Sequence, residues 1–191
     1  MISSLAEKAV DMVFGHTELP QDDRELYIYG FFILLSHAFY FVITAICGVM
    51  LGVVLESVLF YVLFSLIRGY AGGVHASKES ICTVSTLLSI LASITAIKLC
   101  LVLNLYVLPL AALFLSLPCI LLFSPLDTEA KPLTTEERKE YKKKSCVIAL
   151  LIFSAALVAF VLHLPGIFLS CAAGLLLESL LLIAGKIKDF V

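Results

Sequence analysis

Tryptophan is absent from the 191 residues, charged side chains make up only 15%, and the net charge is −2. That near-neutral balance excludes a nucleic-acid binder working through bulk positive charge. No Cys/His pair has the short spacing of a zinc site, so neither a metal nor another cofactor is expected. The six cysteines do not outline a disulfide framework. Cys47, Cys100, Cys119 and Cys171 lie inside apolar runs as small hydrophobes, which leaves Cys82 and Cys146 beside polar residues. Low-complexity sequence is missing too. What the chain has in excess is apolar: hydrophobic types reach 61% and mean hydropathy +1.08, against roughly 45–50% hydrophobic residues in soluble domains. This composition reads as an all-α, polytopic integral membrane protein, one membrane domain over residues 1–191. Without Trp, its interface anchoring falls to seven Tyr and to Lys and Arg.

Residues 1–25 carry Glu7, Asp11, Asp22 and Asp23 and no continuous apolar stretch, which argues against a cleaved secretory signal. Ile2, Leu5, Ala6, Ala9, Val10, Val13 and Phe14 recur at helical spacing, so an amphipathic helix on the membrane surface is expected, ended by Gly15 and Pro20. Leu26 to Ile67 is twice the length of a bilayer core and is interrupted only by His37 and Glu56; it must fold back. A hairpin at Gly48 to Gly52 divides it into spans 26–47 and 49–67. Spans 81–103 and 105–123 follow, the latter loosened by Pro109 and Pro118. Residues 124–145 read as a polar, basic loop. Spans 146–164 and 167–185 close the chain around a turn at His163 to Gly166, giving about six in all. With six spans, all Lys and Arg except Lys98 fall on one side, which the positive-inside rule makes cytoplasmic, together with both termini.

Segment 68–80, between spans two and three, is the polar stretch with chemistry in it. It runs Arg68-Gly-Tyr-Ala-Gly-Gly-Val-His75-Ala-Ser-Lys-Glu-Ser, and Cys82 follows. A thiol attacks carbonyls as thiolate, and an imidazole can take its proton because the unperturbed pKa values, about 8.5 and 6.5, are close. Cys82 falls in the first turn of an expected helix, where the dipole favours an anion. Residues seven apart on a straight helix lie about 10.5 Å apart along its axis, so the segment must bend, and Gly69, Gly72 and Gly73 permit it. On these grounds the pair is either a cysteine nucleophile with its base or a solvated turn with an interfacial His and a buried Cys.

Arg68-x4-Gly73-x-His75-x6-Cys82, after two spans in a chain of this length, resembles the signature of the accessory gene regulator B (AgrB) family. These are membrane cysteine endopeptidases of bacterial peptide quorum sensing. The likeness extends to the amphipathic N-terminus, Lys131-Pro132 before a basic run, and Glu178 in the last span. The resemblance implies a bacterial plasma-membrane enzyme, working as a homodimer, that cuts the acidic C-terminal tail from an AgrD-type pro-peptide. Cys82 would attack the scissile carbonyl, His75 would act as base and then acid, and a substrate thiol or hydroxyl would close a thiolactone or lactone on the thioester.

Other residues carry two readings each. Glu178, too deep to reach water, either orients His75 or pairs with Arg68, or makes a helix–helix hydrogen bond. Arg68 is an oxyanion or tail ligand, or a topology anchor. Lys131, Arg138, Lys139, Lys142, Lys143 and Lys144 grip an acidic tail, as the resemblance favours, or attract anionic membrane lipid. Cys146 has no sequence-local base. The competing classes are a non-enzymatic peptide transporter, in which the glycine-rich segment is a gate, and a structural membrane subunit.

Overall fold

The computed structural model describes residues 2–15, 20–73, 79–127 and 133–190. His75 and Lys131 lie outside these. The described residues form seven helices and no strand: α1 (Ile2–Phe14), α2 (Gln21–Leu51), α3 (Val54–Ala71), α4 (Glu79–Leu103), α5 (Val107–Phe123), α6 (Thr135–Val161) and α7 (Pro165–Phe190). The chain divides into two compact units, Met1–Ile43 and Thr44–Val191.

In the first unit α1 forms as expected and buries Ala6 and Val10, four residues apart on its apolar face, while Leu5 and Val13 of that face stay exposed together with Met12. An ion pair of 2.7 Å joins Arg24 Nη2 to Asp11 Oδ1, and the Phe14 and Tyr27 rings lie 4.7 Å apart. Both contacts fold α1 back on the start of α2.

The second unit is built around α7, the most deeply buried of the long apolar helices. Its small residues let neighbours approach: the Cβ position of Gly174 meets the backbone of Phe60 and Phe64 on α3. The two helices run parallel. Ser170 Oγ, near the start of α7, donates to the Glu56 carbonyl near the start of α3 at 2.9 Å, and farther along Arg68, in the last turn of α3, faces Glu178 in the middle of α7. α5 ends where α3 ends, because Leu126 N–H donates to the Ala71 carbonyl at 2.9 Å and Leu126 forms a parallel bridge with Gly72. Thus α3, α5 and α7 point one way.

Among the described residues, five helices are long and apolar enough to cross a membrane: α3 and α6 over their full length and most of α2, α4 and α7. α5 is apolar but has 17 residues, about 25 Å against a core of about 30 Å. An all-helical membrane protein with close to six spans is therefore the architecture.

Several boundaries differ from the sequence expectation. α2 continues unbroken through Gly48 to Leu51, and the turn is Gly52–Val53. Gly52 carries φ +69° and Val53 N–H returns to the Gly48 carbonyl, a left-handed helix stop, while Gly48 stays helical because its missing side chain makes room for Ser57. The 124–145 stretch is not loop throughout, since α6 starts at Thr135 and carries Arg138 to Lys144. The cause is a capping box: Thr134 Oγ1 accepts from Glu137 N–H at 3.3 Å and the Glu137 carboxylate accepts from Thr134 N–H at 2.9 Å. Pro165 opens α7, so Gly166 belongs to the helix rather than to the turn, and α7 continues to Phe190 instead of ending at 185. Thr134→Ala removes a cap worth about 1 kcal/mol. Amide exchange over residues 135–138, read by mass spectrometry, is expected to speed up roughly fivefold; unchanged exchange would mean that the cap does not hold this end.

Candidate functional site

The exit of α3 is shaped by two glycines. Gly72 has φ +76° and Gly73 φ +138°, conformations that side chains rarely adopt, and both lack the room for one. A Cβ on Gly72 would collide with the Leu126 carbonyl oxygen, and one on Gly73 would fall inside the Arg68 guanidinium. Arg68, in the last turn of α3, lays its side chain along this exit and donates from Nη1 to the Gly72 carbonyl at 2.8 Å. The cation thereby also sits at the negative end of the α3 dipole.

Behind it lies Glu178 of α7, fully buried. Its Oε2 is 3.9 Å from Arg68 Nη1, and neither carboxylate oxygen accepts a hydrogen bond among the described residues. A carboxylate so placed depends on the nearby cation, because ionised groups are costly to bury alone. Of the partners the sequence leaves for Glu178, Arg68 stands beside it, and His75 lies outside the described residues.

A second layer comes from the end of α5 and the start of α6. Ser124 and Ser145 share a buried hydroxyl–hydroxyl hydrogen bond of 2.9 Å. Lys142 Nζ donates to the Leu121 carbonyl and, at 2.6 Å, to the Ser124 carbonyl. Arg138 pairs with Asp127, and Lys144 pairs with Glu140 at 2.7 Å while lying 5.3 Å from the centre of the Tyr70 ring, which itself meets Tyr141 edge-on. The basic run therefore separates by helix face. Lys142 is half-buried on the same face as Ser145, Ala149 and Ile152, whereas Lys139 and Lys143 are exposed and make no ion pair among the described residues.

Cys82 lies in the first turn of α4, half-buried, with its carbonyl accepting from Ser85 Oγ at 3.0 Å. Beside it Ile81, Val84 and Leu88 present an exposed apolar surface. Cys146 is half-buried near the middle of α6. No cluster of His, Cys, Asp and Glu suited to a metal occurs among the described residues. The structure thus gathers Arg68, Gly73 and Glu178 at one point, seats Lys142 on the end of α5, and carries Cys82 on a separate helix. Ser124, Leu126, Ser145, Tyr70 and Tyr141 join this layer without having been singled out from sequence. Their only local signal is a polar Ser closing one apolar helix and another Ser at the start of the next apolar run.

The profile of the family described as Accessory gene regulator B matches residues 6–182. AgrB-like protein 2 of Clostridium perfringens (strain 13 / Type A) is 25% identical over 162 residues, 80% of this chain and 74% of the relative. An AgrB-like protein of Listeria innocua is 30% identical over 163 residues, 81% of this chain and 76% of the relative, and one of Listeria monocytogenes serovar 1/2a is 29% identical over the same shares. No solved structure matches. A profile match over nearly the whole chain, laid on an all-helical membrane fold, establishes that this chain belongs to the accessory gene regulator B family, which serves the agr quorum-sensing system of bacteria together with an AgrD-type propeptide.

Proposed function

We propose that this chain is a cysteine endopeptidase and peptide cyclase acting on an AgrD-type precursor at the cytoplasmic face of the membrane. The observation that carries the reading is the position of Cys82. It stands partly exposed in the first turn of α4, after the segment that holds His75, where the helix dipole favours an anion and an apolar surface lies beside it. The Cys82 thiolate adds to the scissile carbonyl and the C–N bond breaks. The proton that His75 took from the thiol goes to the leaving amine, and the precursor remains as a thioester on Sγ. A thiol of the precursor then gives its proton to His75 and attacks that carbonyl, the C–S bond to Cys82 breaks, the ring closes as a thiolactone and the Cys82 thiolate is restored. Exchange of one thioester for another is nearly balanced, so water must be kept away, which an apolar surface at a membrane favours.

Under this reading the acidic tail is held by the basic residues free of internal partners among the described ones, Lys139 and Lys143, with Lys131 from outside the described residues. The test is a precursor whose ring-forming Cys is replaced by Ala, so that the thioester has no internal acceptor. Mass spectrometry is expected to find the trimmed precursor attached to Cys82 by a bond that neutral hydroxylamine cleaves. A precursor cut normally with no adduct on Cys82 would reject the acyl-enzyme.

A further inference from the structure

Lys142 is set apart from the rest of the basic run. Its ammonium reaches inward to the Leu121 and Ser124 carbonyls, the unsatisfied end of α5. Cations are stabilised there by the helix dipole, and the donated hydrogen bonds are charge-assisted. Three residues on, Ser145 holds Ser124 again through its hydroxyl. What these two bonds fix is the segment 124–126, and this segment is what α3 leans on as it ends: Leu126 N–H donates to the Ala71 carbonyl, and Leu126 bridges to Gly72. A path therefore runs from Lys142 on α6 by hydrogen bonds to the end of α5, along the backbone of 124–126, and by the Leu126 hydrogen bond to Ala71 at the end of α3.

We propose that Lys142 is a positioning residue. It pins the α5 exit so that segment 124–126 clamps Ala71 and Gly72 and sets where the chain leaves α3, and it takes no part in gripping the precursor's acidic tail. This rests on the endopeptidase reading for its kinetic consequence, but the clamp itself can be read without activity.

Lys142→Met keeps the stem and removes the donor. A misplacement of about 1 Å at a reacting group can lower turnover about 100-fold, so Lys142→Met is expected to lower kcat by roughly that factor with KM for the precursor unchanged. Lys142→Arg, which can also donate to two carbonyls, restores most of the turnover. The same loss is expected with a precursor whose tail carboxylates are replaced by amides, whereas a tail-gripping lysine would raise KM and would lose its effect on that neutral tail. The activity-independent arm is Leu126→Cys, a position 7% exposed, whose alkylation is followed by site-resolved mass spectrometry in membranes. Labelling at 126 is expected to accelerate at least tenfold with Lys142→Met and to return to the slow rate with Lys142→Arg. A KM effect confined to acidic tails, or equal labelling with Lys and Met at 142, would overturn the proposal. If the unsubstituted protein left the precursor uncut, the endopeptidase reading would fall and the labelling rates would still decide the clamp.

Discussion

Cys82→Ala will leave a co-expressed AgrD-type precursor uncut, with a loss of at least about 10⁴-fold in cleavage, while the protein still inserts and accumulates in the membrane. The size follows from what the thiol is asked to do. Removing the nucleophile from a serine or cysteine hydrolase leaves only binding and electrostatic effects, and losses near 10⁶-fold are known for such sites. Folding is spared because Cys82 is only partly buried in the first turn of α4 and is not among the buried residues of the bundle. Cys82→Ser is expected to fail too, since a hydroxyl is far less readily ionised by an imidazole than a thiol is. His75→Ala removes the proton that the departing amine needs and should also abolish cutting. Immunoblotting of tagged precursor in cells carrying each variant measures all three. Cleavage that survives in both Cys82→Ala and His75→Ala would reject the endopeptidase and favour a transporter.

Hydropathy made most of the bundle legible before any coordinates. Apolar runs long enough to cross a membrane have few alternatives, because backbone groups in hydrocarbon must be satisfied within helices. The amphipathic α1 was legible for a similar reason, as the spacing of Ala6 and Val10 shows. The start of α6 was not read. Thr135 to Lys144 is charged on nearly every face and looks like loop by composition, and its helix is set by a local device, the Thr134/Glu137 box, whose S/T-x-x-E pattern was present in the sequence. The hairpin was misplaced by a few residues because Gly48 and Gly52 look alike in sequence; only Gly52 has the positive φ that stops a helix.

At the site the division is sharper. Arg68, Gly73 and Glu178 could be picked out individually, and pairing of Glu178 with Arg68 was one of the partners its depth demanded. The inward turn of Lys142 could not, because its partners are backbone carbonyls of another helix that carry no residue identity. Nor could the Gly72–Leu126 bridge, a contact between segments 54 residues apart with no periodicity to announce it.

Gly73→Ala is expected to destabilise the fold strongly, and Glu178→Gln in the same chain should recover part of the loss. A methyl group at residue 73 would occupy the volume of the Arg68 guanidinium, at a backbone φ of +138° that alanine rarely adopts. The guanidinium has to shift aside, which disturbs its hydrogen bond to the Gly72 carbonyl and its position facing Glu178. Moving the cation away from such a pair is destabilising, because the carboxylate opposite is left as a buried charge without compensation or has to take up a proton. Glu178 is that charge: it is fully buried and accepts no hydrogen bond among the described residues that could take over. Replacing it by Gln removes the stranded charge at nearly constant volume. The substitution should therefore raise the thermal midpoint, measured by circular dichroism in detergent, when residue 73 is Ala, and should not raise it when residue 73 is Gly. Such a dependence on background is the signature of coupled sites, since independent ones add. An equal effect of Glu178→Gln in both backgrounds would show that the glycine does not act through Arg68. The same coupling explains why a residue with no side chain holds a place at the site: residue 73 must be empty for the arginine to lie along the α3 exit and to face the buried carboxylate behind it.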